Sequence, residues 1–262
     1  MERKPTLPLL LLGATAGLLA GLLGIGGGLL VGPILMLMGF SLKRAFGSAL
    51  AVVLAAASVA VVTELLLAPG NFHWWVAAAV AIGGQIGAQV AGRWIKRVSE
   101  HHLRWAFLLL VLYASLRNLG ILGTVPGEAL PGIANGAQAI EIMLCLALGF
   151  LAGVCAVFFG VGGGIVVVPG LVLAVGGFVV TEAMATSLLA MVPTSAIGLR
   201  LAVRDQRVNA SAVRTLLPAA LLGSIGGVML RNLALAPTQL SWLFGLFLLW
   251  VAFELFRRRK ST

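Results

Sequence analysis

Two clusters of glycine constrain this chain more than any other feature, because each interrupts a long apolar stretch. The clusters are Gly24-Ile-Gly-Gly-Gly28 and Gly160-Val-Gly-Gly-Gly164, within apolar residues 7–40 and 139–178. As one straight helix the first stretch would be about 51 Å long, against a bilayer core of about 30 Å. Each glycine in a helix costs roughly 1 kcal/mol relative to alanine. Both stretches are therefore predicted to break at the glycines.

The composition places the chain in a membrane. Hydrophobic residues make up 60% of it and charged residues 10%, whereas a soluble domain carries roughly 25% charge. Closed barrels need segments of about ten residues with alternating polarity, but here the apolar runs are near twenty residues long. The sequence therefore predicts an all-α, polytopic bundle of transmembrane helices.

The two halves of the chain repeat one pattern. Gly13-Ala-Thr-Ala-Gly17 matches Gly149-Phe-Leu-Ala-Gly153, and Pro33 matches Pro169, at the same spacing as the glycine clusters. Such collinear matches indicate two copies of one design. We expect a first transmembrane repeat at residues 1–122, an extracytoplasmic linker at 123–136 and a second repeat at 137–262. Each repeat has the broken stretch and three further spans, at residues 45–67, 74–95 and 103–122 in the first and 183–203, 212–230 and 240–256 in the second.

Lysine and arginine predict the orientation, because they favour the cytoplasmic side of a membrane. The basic loops around Arg97 and Arg204 and the basic residues 257–260 are then cytoplasmic, and only Arg117 and Arg231 lie on the other side. We expect a multi-pass protein of the inner (cytoplasmic) membrane, with both termini in the cytoplasm.

The same rule makes the first broken stretch a re-entrant hairpin, because Arg3-Lys4 and Lys43-Arg44 flank it and both favour the cytoplasm. Three full crossings per repeat then leave the two repeats inverted, which is typical of transporters. The alternative topology lets each broken stretch cross once, which gives eight crossings and parallel halves.

The candidate binding site consists of the two breaks and polar side chains of the spans that follow them. Half-helices that begin near Gly28 and Gly164 offer free N–H groups and a partial positive charge, which favour an anion. Ser48 aligns with Thr186, and Gln85 aligns with Ser224. The predicted substrate-binding residues are Gly24, Gly26, Gly27, Gly28, Ser48, Gln85, Gly160, Gly162, Gly163, Gly164, Thr186 and Ser187.

Other glycine pairs have a simpler role, and other kinds of site find little support. Gly17/Gly21, Gly83/Gly87 and Gly149/Gly153 have the spacing of helix-packing motifs. Leu29 and Ile165 stand where nucleotide-binding loops need a lysine or a further glycine. The net charge of +10 lies in loops that orient the chain, so it does not indicate nucleic acid. We expect no catalytic group, metal or cofactor.

These motifs resemble the sulfite exporter TauE/SafE family of membrane permeases. The likeness rests on Gly17-x3-Gly21-x2-Gly24-Ile-Gly-Gly-Gly28-x4-Pro33, on Ala45-x2-Ser48 and on their second-half copies. The resemblance implies export of small sulfur oxyanions such as sulfite, sulfoacetate or related sulfonates, driven by membrane potential or proton coupling. The expected partners are this small anion, membrane lipid and, as a candidate, a second copy of the chain. An anion channel, a carrier of another small anion and a membrane enzyme remain alternatives.

Overall fold

The computed structural model describes residues 6–94, 138–160 and 162–257, together with residues 112, 115, 116, 119 and 121. The regular structure of these residues is entirely helical, as predicted. The helices are α1 Thr6–Leu23, α2 Gly28–Leu37, α3 Leu42–Leu67, α4 Trp74–Trp94, α5 Gln138–Phe159, α6 Gly164–Gly170, α7 Val180–Arg204, α8 Ala210–Ala234 and α9 Pro237–Arg257.

Five of the described helices, α3, α4, α5, α7 and α8, are long and apolar enough to cross a membrane. α3, α4, α7 and α8 agree with predicted spans to within a few residues, and α9 agrees with the predicted span at 240–256. α5 is the first part of the broken stretch predicted at 139–178, and it is by itself long enough to cross. The predicted span at 103–122, apart from five of its residues, and the predicted linker at 123–136 lie outside the described residues.

Both helices break at the predicted glycines. α1 ends at Leu23 and α5 at Phe159, and the half-helices begin at Gly28 and Gly164. Six glycines of the breaks have a positive φ, which residues with a side chain adopt only at a cost in strain. They are Gly24 (66°), Gly26 (75°), Gly27 (64°), Gly160 (62°), Gly162 (76°) and Gly163 (87°).

Each half-helix folds back on the helix before it. A Cβ on Gly163 would lie 2.8 Å from the Ala152 carbonyl oxygen, while Gly170, at the other end of α6, packs on the Leu148 side chain. The order of these contacts makes α5 and α6 an antiparallel hairpin. Pro169 lies in α6, and a π-helical turn at Leu171–Val175 follows it, consistent with the backbone hydrogen bond that proline removes.

Close glycine contacts join the two halves of the chain. Gly17 of α1 packs directly on the Ala220 carbonyl of α8, and Gly153 of α5 packs on the Gly84 carbonyl of α4. The packing role predicted for these glycine pairs is therefore confirmed. Because Gly13 likewise packs on the Leu216 carbonyl, α1 and α8 run parallel.

The remaining helix directions follow from contacts at their ends. α3 runs parallel to α8, because Ser48 bonds Asn209 at one end and Glu64 bonds Arg231 at the other. It runs antiparallel to α7, because Gly47 packs on the Arg207 carbonyl just after α7 whereas Leu50 packs on Gly198 within it. α1 and α3 therefore point the same way.

Candidate functional site

The two glycine breaks touch one another in the core of the bundle. A Cβ on Gly164 would lie 2.6 Å from the Gly24 carbonyl oxygen and 2.8 Å from the Ile25 Cα. The Ser187 hydroxyl donates a 3.2 Å hydrogen bond to the same Gly24 carbonyl. Ser187 and Ile25 are buried, 0% and 1% exposed. Residues far apart in the sequence thus form one junction of irregular backbone.

The breaks have matching neighbours in the two halves. Gly24 packs on Met184 of α7, and Gly160 packs on Phe46 of α3, the aligned residue of the other half. Each break thus packs on the helix that follows the break of the other half.

Several backbone amides in the breaks have no hydrogen-bond partner among the described residues. Those of Gly26, Gly27, Gly28 and residues 162–164 donate no hydrogen bond to any other described residue. These residues are buried, and buried amides are normally paired with protein, water or a ligand. The junction therefore offers N–H donors that a small anion would satisfy.

The hydroxyls of Ser48 and Thr186 perform matching tasks at opposite ends of the bundle. Ser48 accepts a 2.9 Å hydrogen bond from the Asn209 amide, just before α8. Thr186 accepts one of 3.2 Å from the His73 amide, just before α4. Both hydroxyls are fully buried. The structure thus places them at helix starts, and the atoms nearest to Gly24, Gly160, Gly162 and Gly164 belong to other residues.

The other predicted side chains divide between the junction and its surroundings. Ser187 reaches the first break through Gly24, whereas Gln85 lies half-buried on α4. Ser224, aligned with Gln85 by sequence, donates a 2.7 Å hydrogen bond to the Ala56 carbonyl of α3. Gly153 packs on the Gly84 carbonyl, and its counterpart Gly17 packs on the Ala220 carbonyl, so the contacts pair Gly84 with Ala220. This pairing differs by three residues, nearly one helical turn, from the alignment of Gln85 with Ser224.

A polar cluster that sequence reasoning missed lies between α3 and α8. Glu64 and Arg231 form an ion pair with both side chains 0% exposed. The distribution of basic residues makes Arg231 one of two exceptions on the extracytoplasmic side, and the structure buries its side chain within α8. The available signal was Glu64, the acidic residue of α3, together with Arg231 in the last turns of apolar α8, since charges in such helices are usually paired.

A cavity of about 410 Å³ is lined by residues of α3, α4 and α7. Ser58 and Val61 of α3, Trp74 of α4 and Pro193 of α7 contribute to its largely apolar wall. None of the predicted site residues lines it. Among the described residues, no three His, Cys, Asp or Glu side chains are grouped as a metal site would require.

Apolar helices of membrane-spanning length and two buried backbone breaks define a polytopic helical membrane protein. The family model for the sulfite exporter TauE/SafE matches residues 1–118 and 145–262, so the chain belongs to that family. Membership makes it a membrane transport protein for sulfur-containing anions in the general sense of the family. No curated protein and no solved structure matches the chain.

Proposed function

We propose that this protein is a permease that exports small sulfur oxyanions, such as sulfite, sulfoacetate or related sulfonates, across the inner (cytoplasmic) membrane by alternating access. The observation that carries the proposal is the contact between the two glycine breaks, at Gly164 and Gly24. Irregular backbone at membrane depth lies within protein or lines a cavity, and transporters hold substrate at such discontinuous helices.

The substrate would bind to backbone amides of the breaks. The amides of residues 26–28 and 162–164 have no other described partner, and the positive end of each half-helix favours negative charge. Ser48, Gln85, Thr186 and Ser187 remain proposed contributors, of which Ser187 has direct contact with the junction. Neutral donors would hold an anion with modest affinity and release it readily.

The helix directions support inverted repeats over parallel halves. α3 and α7 occupy aligned positions in the two halves, and they run antiparallel. Counterparts in parallel halves would run in the same direction. We therefore propose a first repeat at 1–122, a linker at 123–136 and a second repeat at 137–262, with both termini in the cytoplasm. A second copy of the chain and membrane lipid remain proposed partners.

Membrane potential would drive export without a nucleotide. In a cell with a negative interior, outward movement of one negative charge is favoured by about 2.3 kcal/mol per 100 mV. An imposed potential should therefore accelerate sulfite efflux from proteoliposomes when the side that corresponds to the cytoplasm is negative. Proton coupling would add a dependence on the pH difference.

Gly164→Ala tests the site with a small change at the junction. Its new Cβ would press on the Gly24 carbonyl and on Ile25, so we expect labelled sulfite counter-flow in proteoliposomes to fall by roughly tenfold or more. Gly198→Ala is the matched control, because its Cβ would make ordinary 3.4 Å contacts with Leu50. Unchanged sulfite flux in folded Gly164→Ala protein would contradict the proposed site.

An anion channel is the second candidate function. It would use the same amides, but its flux would not saturate with sulfite concentration in the range where a carrier saturates. Unlabelled sulfonates and other small anions, added as competitors, would identify the substrate.

A further inference from the structure

The cluster around Glu64 is more elaborate than a simple ion pair. Its carboxylate accepts hydrogen bonds from Arg231, from Asn71 Nδ2 at 2.7 Å and from Asn232 Nδ2 at 2.7 Å. Asn71 and Glu64 lie in the first half of the chain, whereas Arg231 and Asn232 lie in the second. The cluster therefore joins the two halves at the end of the bundle where α3 and α8 finish.

The carboxylate of this cluster is satisfied, but the guanidinium is not. Nε and NH1 of Arg231 are buried and have no hydrogen-bond partner among the described residues. These two nitrogens carry three N–H donors. Buried donors of a charged group that lack an acceptor cost free energy of folding. A small bound acceptor would remove this cost. Neither asparagine oxygen accepts from these two nitrogens, and Asn232 Oδ1 already accepts from Asn71 Nδ2 at 3.4 Å.

Arg231 lies one turn after a close contact between α8 and the end of α1. One turn earlier on α8, Gly227 packs so closely on α1 that a Cβ there would lie 2.8 Å from the Leu22 amide nitrogen. Gly24, the first residue of the break, follows two residues after Leu22. Arg231 therefore lies at about the height in the bundle at which α1 ends and the irregular backbone of the first break begins.

The fold itself does not require this cluster. The position in α7 that aligns with Glu64 is Ala202, which is fully buried. In the register of the glycine contacts, the residue that corresponds to Arg231 in the sequence is Ile95. The aligned positions of the other half therefore carry apolar residues in place of an ion pair. A protein with apolar residues at such positions is generally as stable as one with a buried ion pair. Stability alone therefore does not explain the charges of Glu64 and Arg231, and binding of a ligand would.

We propose that Arg231 is an anion subsite beside the first break, which takes a small oxyanion such as sulfite through its Nε and NH1 donors while Glu64 competes for the same guanidinium. This inference rests on the proposed function, because it adds a second binding position to the same path. Guanidinium matches the geometry of oxyanions well, and the carboxylate at its other edge would keep binding weak enough for release.

The experiment compares charge-neutral variants in proteoliposomes loaded with sodium sulfite. The double variant Glu64→Gln with Arg231→Gln removes both charges together and leaves no unpaired ion. A charged hydrogen bond typically carries enough free energy for about a tenfold change in affinity, so we expect the half-saturating sulfite concentration to rise about tenfold or more. Asp205→Asn with Arg207→Gln, which removes the 2.8 Å pair of half-buried Arg207 with exposed Asp205, should leave that concentration unchanged.

Two further measurements separate binding from folding. Glu64→Gln alone should lower the half-saturating concentration, because it frees the guanidinium and removes a repelling charge, whereas a structural role predicts no tighter binding. Sulfite should also raise the unfolding temperature of the detergent-solubilised unmodified protein more than that of the neutral double variant.

Unchanged half-saturation in the double variant, with only its maximal rate or stability reduced, would overturn the Arg231 subsite and leave the permease intact. Absence of saturable sulfite flux in the unmodified protein would instead overturn the proposed function, and the subsite with it.

Discussion

At the scale of the residue, single hydroxyls connect parts of the chain that sequence spacing does not bring together. Thr186 on α7 accepts its hydrogen bond from the backbone of His73, and Ser48 on α3 accepts its bond from Asn209. Each bond joins one half of the chain to the other and satisfies an amide just before a helix, where backbone donors otherwise lack partners.

Thr186→Val should destabilise the protein, because valine keeps the shape of threonine but cannot accept the bond from the His73 amide. We expect a loss of about 1 kcal/mol in the free energy of unfolding, the typical net value of one hydrogen bond. Thermal unfolding in detergent measures it. Thr63→Val is the control, since the Thr63 hydroxyl bonds only the Val59 carbonyl of its own helix. Equal effects of the two variants would contradict this role for Thr186.

At the scale of the element, glycine determines how closely helices of the two halves approach. Gly13 and Gly17 of α1 lie against carbonyl oxygens of α8, with no room for a side chain. Small residues allow such contact in membranes, where helix association depends on packing because lipid is as apolar as the helices.

Gly17→Ala should force α1 away from α8, because its Cβ would collide with the Ala220 carbonyl. Overpacking of this kind typically costs about 1–3 kcal/mol, and we expect a lower unfolding temperature in detergent. Gly226→Ala provides the matched control on α8, where the nearest atom would be Leu18 Cδ1 at 3.9 Å. That variant should be neutral or slightly stabilising, since alanine favours the helix. A Gly17→Ala protein as stable as Gly226→Ala would refute close packing here.

At the scale of the whole molecule, the antiparallel course of α3 and α7 predicts which loops share a side of the membrane. The turn after α3 contains Gly70, which has open space around it, and the turn after α7 contains the exposed Asp205. With inverted repeats these two turns face opposite sides, although both follow aligned helices.

Labelling with a membrane-impermeant maleimide tests this arrangement in intact cells. In a protein whose buried Cys145 and Cys155 are replaced by alanine, Gly70→Cys should react from outside and Asp205→Cys only after the cells are opened. Labelling of both positions from the same side would support parallel halves and eight crossings instead.

The sequence by itself determined the helical membrane fold, the positions of both breaks and the glycine faces used for packing. Each of these depends on local properties: apolar length, the backbone freedom of glycine at positions such as Gly24 and Gly160, and the repeat of small residues along one face of a helix. Such properties are present in a single segment and can be read without its neighbours.

Only the tertiary structure decided which segments meet. The Glu64–Arg231 pair joins residues 167 positions apart, and nothing local distinguishes Glu64 from a charge at the end of a span. The contact of Gly164 with Gly24 likewise depends on two hairpins that pack from different halves of the chain. Which helices pack against each other depends on the fit of all helix surfaces in the bundle. No single segment of the sequence contains that information.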